Sequence, residues 1–262
     1  MKASVQPKRN RDFEMLYGLH SVHAALKQEK RQFMRLYHNQ NRQENELLSE
    51  IIALARDQGI PVSETIQSQT KLDLAHDAHQ GIALRCSPLP ELSWRAFRES
   101  GRSSLNALVA LDQVKDPQNL GAVIRSCGFF RIKALVIPRK HSCPVTPGVS
   151  KASSGVAEWY PVITVNNLTR FLEQRKKEGY WVVGLDVEEG QKIHELELDR
   201  QMILVLGSES RGLRPLIRKT CDWLVSIDGD EKVESLNVSN AAAIALHRLS
   251  VSAAGVSYAE GL

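Results

Sequence analysis

The chain of 262 residues is 42% hydrophobic and 24% charged, a composition that excludes a disordered or low-complexity protein. Its net charge of +4 fits a polyanionic partner without demanding one, and no apolar run reaches the length of a membrane span or forms a secretory signal core. The four cysteines, Cys86, Cys127, Cys143 and Cys221, include no C-x-x-C pair, which argues against a zinc site or disulfide framework and for a reducing compartment.

The charge is uneven. Residues 1–42 hold nine Lys/Arg (Lys2, Lys8, Arg9, Arg11, Lys27, Lys30, Arg31, Arg35 and Arg42) against Asp12, Glu14 and Glu29, a surplus of six that exceeds the whole chain's. Contact with a polyanion and a solvated basic surface both fit this leading segment.

From Tyr17 the pattern becomes regular. Apolar spacing predicts a helix over 18–27, a strand over 33–37 and a helix over 44–58 that stops at Gly59. A short strand at 60–62, a helix at 71–78 and a strand at 81–86 complete a small α/β unit. Residues 87–104 lack periodicity and hold two prolines, a glycine and several serines, so 89–104 reads as a linker. The expected organisation is a basic tail (1–14), a small unit (15–88), the linker, and a large unit (105–262).

The large unit alternates. Strands are predicted at 105–111, 134–137, 162–165, 181–185, 203–206 and 223–227, with helices at 119–130, 149–157, 168–177, 213–219 and 238–251. Continuous apolar strands between amphipathic helices argue for a parallel sheet covered on both faces. The closing helix follows the polar run Glu234-Ser235-Leu236-Asn237-Val238-Ser239-Asn240, where Ser239 or Asn240 is expected to cap it.

Ligands of doubly wound sheets bind beyond the carboxyl ends of the strands. Three polar stretches follow strands here: 116–125, 207–212 and 228–239. There is no G-x-G-x-x-G after a strand and no G-x-x-x-x-G-K-[ST], so an ordinary dinucleotide or ATP site is disfavoured.

Together these stretches resemble the SpoU/TrmH family of RNA ribose 2′-O-methyltransferases. The matching motifs are Asp116-Pro117-x-Asn119-Leu120-Gly121-Ala122 with Arg125, Leu206-Gly207-x-Glu209-x-x-Gly212-Leu213, and Ser226-Ile227 followed by Ser235-Leu236-Asn237-Val238-Ser239. The resemblance extends to the first ~90 residues through Tyr17-Gly18-x-His20-x-Val22 and His79-Gln80-Gly81. It implies an α/β fold: a trefoil-knotted, parallel-sheet methyltransferase domain of SPOUT type, preceded by a small ribosomal-protein-like RNA-binding domain. The stretch 142–155, SCPVTPGVSKASSG, is similar to the mitochondrial large-subunit rRNA guanosine methyltransferases, relatives of bacterial 23S rRNA enzymes.

By resemblance, S-adenosylmethionine binds in the knot against Leu206, Gly207, Ile227 and Leu236, with no metal. Gly207 lets a backbone approach closely, and Ile227 and Leu236 offer apolar walls for an adenine ring. The reaction needs alignment and a destination for the 2′-hydroxyl proton. The resemblance gives Arg125 the target phosphate; because arginine stays protonated, positioning suits it better than literal base catalysis. Asn119, Glu209, Ser235 and Asn237 are expected to orient the ribose.

Taken singly, Asn119 could be a helix cap, Glu209 a first-turn carboxylate and Arg125 a surface ion-pair partner. The expected substrate is a guanosine in large-subunit rRNA, in the mitochondrial matrix or, for a bacterial protein, the cytoplasm. The expected assembly is a homodimer through the knotted domain. A tRNA methyltransferase of the same family and a catalytically silent ribosome-assembly factor are the alternatives.

Overall fold

A computed structural model describes residues 13–39, 46–64, 79–97, 107–186, 191–196, 201–208, 211–230 and 232–253. The helix expected at 71–78, the residues before Phe13 and Glu209 lie outside them. The chain divides into two compact units between Pro90 and Glu91.

The first unit runs β1 (Glu14–Tyr17), α1 (Leu19–Gln28), β2 (Phe33–His38), α2 (Glu46–Asp57), β3 (Val62–Ser63) and β4 (Ile82–Cys86). Its sheet has the order β1-β4-β2-β3, antiparallel at β1/β4 and β4/β2 and parallel at β2/β3. Strand β1 had no signal of its own, because only Leu16 of its four residues is buried. Strand side chains alternate between faces. Leu16, Leu36, Ile82, Leu84 and Cys86 therefore share one face, packed with Leu19, Val22 and Leu26 of α1 and Leu48, Ile51 and Ala55 of α2.

Two of the basic residues counted in the leading segment serve the fold. The Arg31 side chain is fully buried, ion-paired with Glu14 and donating to the Ser87 carbonyl at 2.9 Å. Lys27 pairs with Glu50 at 2.8 Å and His23 meets the same carboxylate at 3.0 Å. The hydrogen bonds from Lys27 and then His23 hold that carboxyl near 2.

The second unit contains β5 (Ala107–Leu111), α3 (Pro117–Phe129), β6 (Ala134–Pro138), α4 (Pro147–Ala152), β7 (Val162–Val165), α5 (Leu168–Lys177), β8 (Trp181–Leu185), β9 (Met202–Leu206), α6 (Pro215–Thr220), β10 (Trp223–Val225) and α7 (Val238–Ala253). All its sheet pairings are parallel, in the order β10-β8-β9-β5-β6-β7. The apolar strands are buried on both faces. Val109, Leu111, Leu135, Ile137, Leu204 and Leu206 face one core, which α3, α4 and α7 complete. Leu108, Ala110, Val136, Ile203 and Val205 face the other, completed by Leu168, Phe171 and Leu172 of α5 and Ile217 of α6.

Residues 91–97, within the stretch read as a linker, pack on this unit. Leu92 accepts from the Thr164 N–H at 2.9 Å, and Trp94 meets Phe171 edge-on at 5.2 Å. The helix expected over 149–157 is two elements. Thr146 caps α4 by accepting from the Val149 N–H, and Gly155 at φ 81° turns the chain into a 3₁₀ turn at Val156–Glu158. The Ser153 hydroxyl holds the break, donating to the Ser150 carbonyl at 3.0 Å and accepting from the Ala157 N–H at 3.1 Å. Among the described residues no helix is long and apolar enough to cross a membrane.

One motif glycine has a packing cause. A Cβ on Gly121 would stand 2.4 Å from the Ala152 Cβ and 2.9 Å from the Val149 carbonyl oxygen, so α3 and α4 touch backbone to backbone there. Gly121→Ala should lower stability by about 1–3 kcal/mol in urea unfolding, because overpacking outweighs the ~1 kcal/mol gain in helix propensity. Equal stability would mean that α4 yields without cost.

Candidate active site at the carboxyl ends of the central strands

The strand order places a switch point beside β5. From β5 the chain steps outward through β6 to β7, then crosses to the other side through β8 and returns with β9 against β5. The connections after β5, β9 and β10 all leave from the carboxyl edge, where such sheets bind ligands.

After β5, Asp112 has no solvent exposure, and its N–H donates to the Leu206 carbonyl at 2.8 Å. A buried carboxylate is costly unless paired. Arg214 supplies the partner: its Nε donates to Oδ1 at 2.8 Å and Oδ2 at 3.0 Å, an Nη lies 2.7 Å from Oδ1, and its backbone N–H donates to Oδ2 at 3.1 Å. The pair ties the end of β5 to the start of α6.

Between those anchors the chain turns tightly. Ser208 and Gly212 exchange two backbone hydrogen bonds, at 2.8 and 3.1 Å. A Cβ on Gly207 would lie 2.1 Å from the Gly212 carbonyl carbon and 2.4 Å from the Leu213 nitrogen. The backbone that approaches Gly207 is therefore its own returning loop. Gly212, at φ 59°, supplies the left-handed turn. Leu206 points into the core at 1% exposure, so only its backbone reaches the sheet edge.

Asp116 caps α3, its carboxylate accepting from the Gln118 N–H at 3.0 Å, and Pro117 occupies the first helical position. Asn119 is thus not the cap. It is 7% exposed, and its Oδ1 accepts from the Asn237 Nδ2 at 3.1 Å, a bond spanning 118 positions of sequence. Asn237 in turn begins α7. Its Oδ1 accepts from the Ser239 N–H at 2.8 Å and the Ser239 hydroxyl at 2.6 Å, and its carbonyl accepts from the Ala241 N–H at 3.0 Å. Asn237, rather than Ser239 or Asn240, is the residue in the capping position, because the helix starts at Val238.

Ser235 and Leu236 precede this cap and are exposed, Leu236 by 44%. Ile227 is half-buried against the core beyond β10, next to the buried Ser226. Arg125 is exposed on the third turn of α3 and makes no ion pair with a described residue. The structure brings Asn119 and Asn237 together and leaves Arg125 facing solvent within the single chain.

The cysteines nearby are not poised as nucleophiles. Burial, then the neighbouring Asp116 charge, pushes the Cys143 thiol up; burial, then Asp222, pushes Cys221 to about 12. Asp112 and Arg214 escaped the sequence reading. The available signal was a lone acid directly after an all-apolar strand, with an arginine directly after Gly212-Leu213.

The SpoU rRNA Methylase family profile matches residues 106–247. The chain belongs to that family. A second profile, for RNA 2′-O ribose methyltransferase substrate binding, matches residues 15–92. Among curated relatives of this SpoU chain, the 23S rRNA (guanosine-2′-O-)-methyltransferase RlmB of Coxiella burnetii is 38% identical over 237 residues, covering 89% of this chain and 94% of the relative. The Vibrio vulnificus enzyme of the same name is 36% identical, with the same coverage of 89% and 94%. Among solved structures, the SpoU methyltransferase AviRb of Streptomyces viridochromogenes, in complex with AdoMet, superposes with a TM-score of 0.75 at 21% identity, covering 93% of each chain. The AdoMet-bound rRNA methyltransferase of Sinorhizobium meliloti gives 0.73 at 20% identity, covering 91% of this chain and 87% of that one. These two likenesses concern the fold.

Truncating the ion pair should be asymmetric. Arg214→Ala leaves a carboxylate of zero exposure without its guanidinium and should cost about 3 kcal/mol or more. Asp112→Asn should cost less, because the Arg214 side chain is already 42% exposed and can turn to water. Urea unfolding of both variants checks the order, which a surface ion pair would not produce.

Proposed function

We propose that the protein transfers a methyl group from S-adenosylmethionine to the ribose 2′-hydroxyl of a guanosine in large-subunit rRNA. Family membership and the identity to guanosine-2′-O-methyltransferases over nearly the whole of both chains support the reaction and the substrate class. The single observation carrying the site is the Asn119–Asn237 hydrogen bond, which joins two of the three motifs at the carboxyl edge of the sheet.

The residues fit the cofactor. Leu236 is 44% exposed and Ile227 half-buried, both on the segment joining β10 to α7, so apolar area remains there for a flat adenine ring to cover. Burying about half a leucine side chain contributes about 1 kcal/mol at ~25 cal/mol per Å². Gly207 and Ser208 follow β9 at the same carboxyl edge of the sheet and offer backbone groups there. When bound, the cofactor supplies a methyl group on a cationic sulfur, open to attack by oxygen.

The protein's own share is placement. Asn119 fixes the first turn of α7 through Asn237, and that turn orients the exposed Ser235 toward the ribose. Asp112 and Arg214 hold the returning loop in register with it. Arg125 binds the phosphate beside the target ribose through its guanidinium, with the phosphate or a water receiving the hydroxyl proton. Glu209 belongs to the same ribose-handling group by its place in the second motif.

An exposed arginine that makes no ion pair with a described residue suits a shared site. We read the protein as a homodimer in which Arg125 serves the partner's cofactor pocket. Supporting this, Phe129, one turn beyond Arg125 on α3, is 78% exposed, and Ile244 on α7, which packs against α3, is 43% exposed. Such apolar area in contact with water favours association. We also read the carboxyl-terminal unit as a trefoil knot, supported by family membership and the likeness to SpoU methyltransferase folds. The first unit would be the RNA-handling domain, in keeping with its substrate-binding profile. The bacterial relatives support a bacterial-type ribosome as the setting, and we read the compartment as the cytoplasm or, as the resemblance of the 142–155 stretch implies, the mitochondrial matrix.

Arg125→Ala should abolish methyl transfer to rRNA, by at least 100-fold, while calorimetry still shows cofactor binding. Retained activity would refute the role, and absence of cofactor binding by the unaltered protein would refute the reading as a whole. Light scattering should give the mass of two chains. A monomer that is fully active would rule out the shared site.

A further inference from the structure

On the face of the first sheet turned away from α1 and α2, two arginines oppose each other. Leu36 and Leu84 face the helices, so alternation turns Arg35 and Arg85 to the other side, and the register pairs them directly across β2 and β4. Directly opposed side chains of an antiparallel pair sit with Cβ atoms about 5 Å apart, and like charges there are destabilising. This domain neutralises the arginine it uses structurally, giving the buried Arg31 the carboxylate of Glu14. It gives neither Arg35 nor Arg85 a carboxylate among the described residues. Arg35 is exposed, and among the described residues its guanidinium donates only to the Ser63 hydroxyl, at 3.1 Å. The Arg85 Cζ lies over the Phe13 ring, 3.6 Å from its centroid, and its Nε is buried without a partner among the described residues.

We propose that Arg35 and Arg85 form a phosphate clamp for the RNA backbone, with the 40%-exposed ring of Phe13 as its apolar floor. The inference rests on the RNA-methyltransferase reading and adds to it a binding site far in sequence from the transfer motifs. A phosphate between the two guanidiniums converts the opposed like charges into a bridged arrangement. Stacking on Phe13 pre-organises the Arg85 fork for bidentate contact, which a lysine could not reproduce. Such a contact holds backbone without reading sequence and so adds affinity and register.

The test is fluorescence anisotropy of a labelled single-stranded oligoribonucleotide over a salt series, with the full chain. Removing two phosphate contacts in Arg35→Ala/Arg85→Ala should weaken binding about tenfold or more and make the slope of log affinity against log salt shallower by roughly 1.4. Cofactor affinity by calorimetry should be unchanged. Because Arg85 covers Phe13, Arg35→Ala alone is the control for packing: Arg35 is exposed, and its loss should still reduce the slope by about 0.7. An unaltered slope in both variants, with the parent chain binding RNA, overturns the clamp and leaves the enzymatic reading intact. A parent chain that binds no RNA overturns both.

Discussion

The fully buried carboxylate of Asp112 stands at the end of the central strand, where the sheet changes direction. Its charge must be met inside the fold, and among the described residues the guanidinium meeting it comes from Arg214, 102 positions later. That requirement draws the chain leaving β9 back over the end of β5. The backbone bonds between Ser208 and Gly212, the closeness of Gly212 to Gly207, and the start of α6 all follow from where Arg214 is held. A less demanding anchor, such as an exposed ion pair, would leave this loop free to open.

A second tie joins α3 to α7. Asn119 reaches from the first turn of α3 to Asn237, and Asn237 uses its other amide atom to begin α7. One side chain therefore satisfies an unpaired helix N–H and fixes the distance between two helices. Gly121, two residues after Asn119, lets α4 close against α3 on the opposite flank. Motif residues that look catalytic in sequence thus divide into those that shape the edge of the sheet and those left exposed on it.

The arginines divide the same way. Arg31 and Arg214 meet carboxylates that have little or no access to water, and both hold the fold. Arg125, Arg35 and Arg85 meet none among the described residues, and they are the ones assigned to phosphates. Guanidinium groups stay charged at any working pH, so what distinguishes these roles is the partner that the tertiary structure provides. Net charge alone had grouped Arg31 with Arg35.

The sequence by itself determined the large-scale order. Short apolar runs such as Ala107–Leu111 and Met202–Leu206, alternating with amphipathic helical segments, argue for strands buried on both faces of a parallel sheet between helical layers. The polar motifs following β5, β9 and β10 carried the family and pointed to the candidate site, because chemistry-bearing residues there have no apolar periodicity to hide in. Short strand β1 and the break after α4 were not legible: one buried residue gives no period, and a serine hydroxyl bonding backbone cannot be told from a surface serine. Only the tertiary structure decided that Asn119 bonds Asn237, that Asp112 needs Arg214, and that Arg35 faces Arg85. Those pairings join residues 118, 102 and 50 positions apart, and local propensity is blind to contacts that exist only after the sheet has closed.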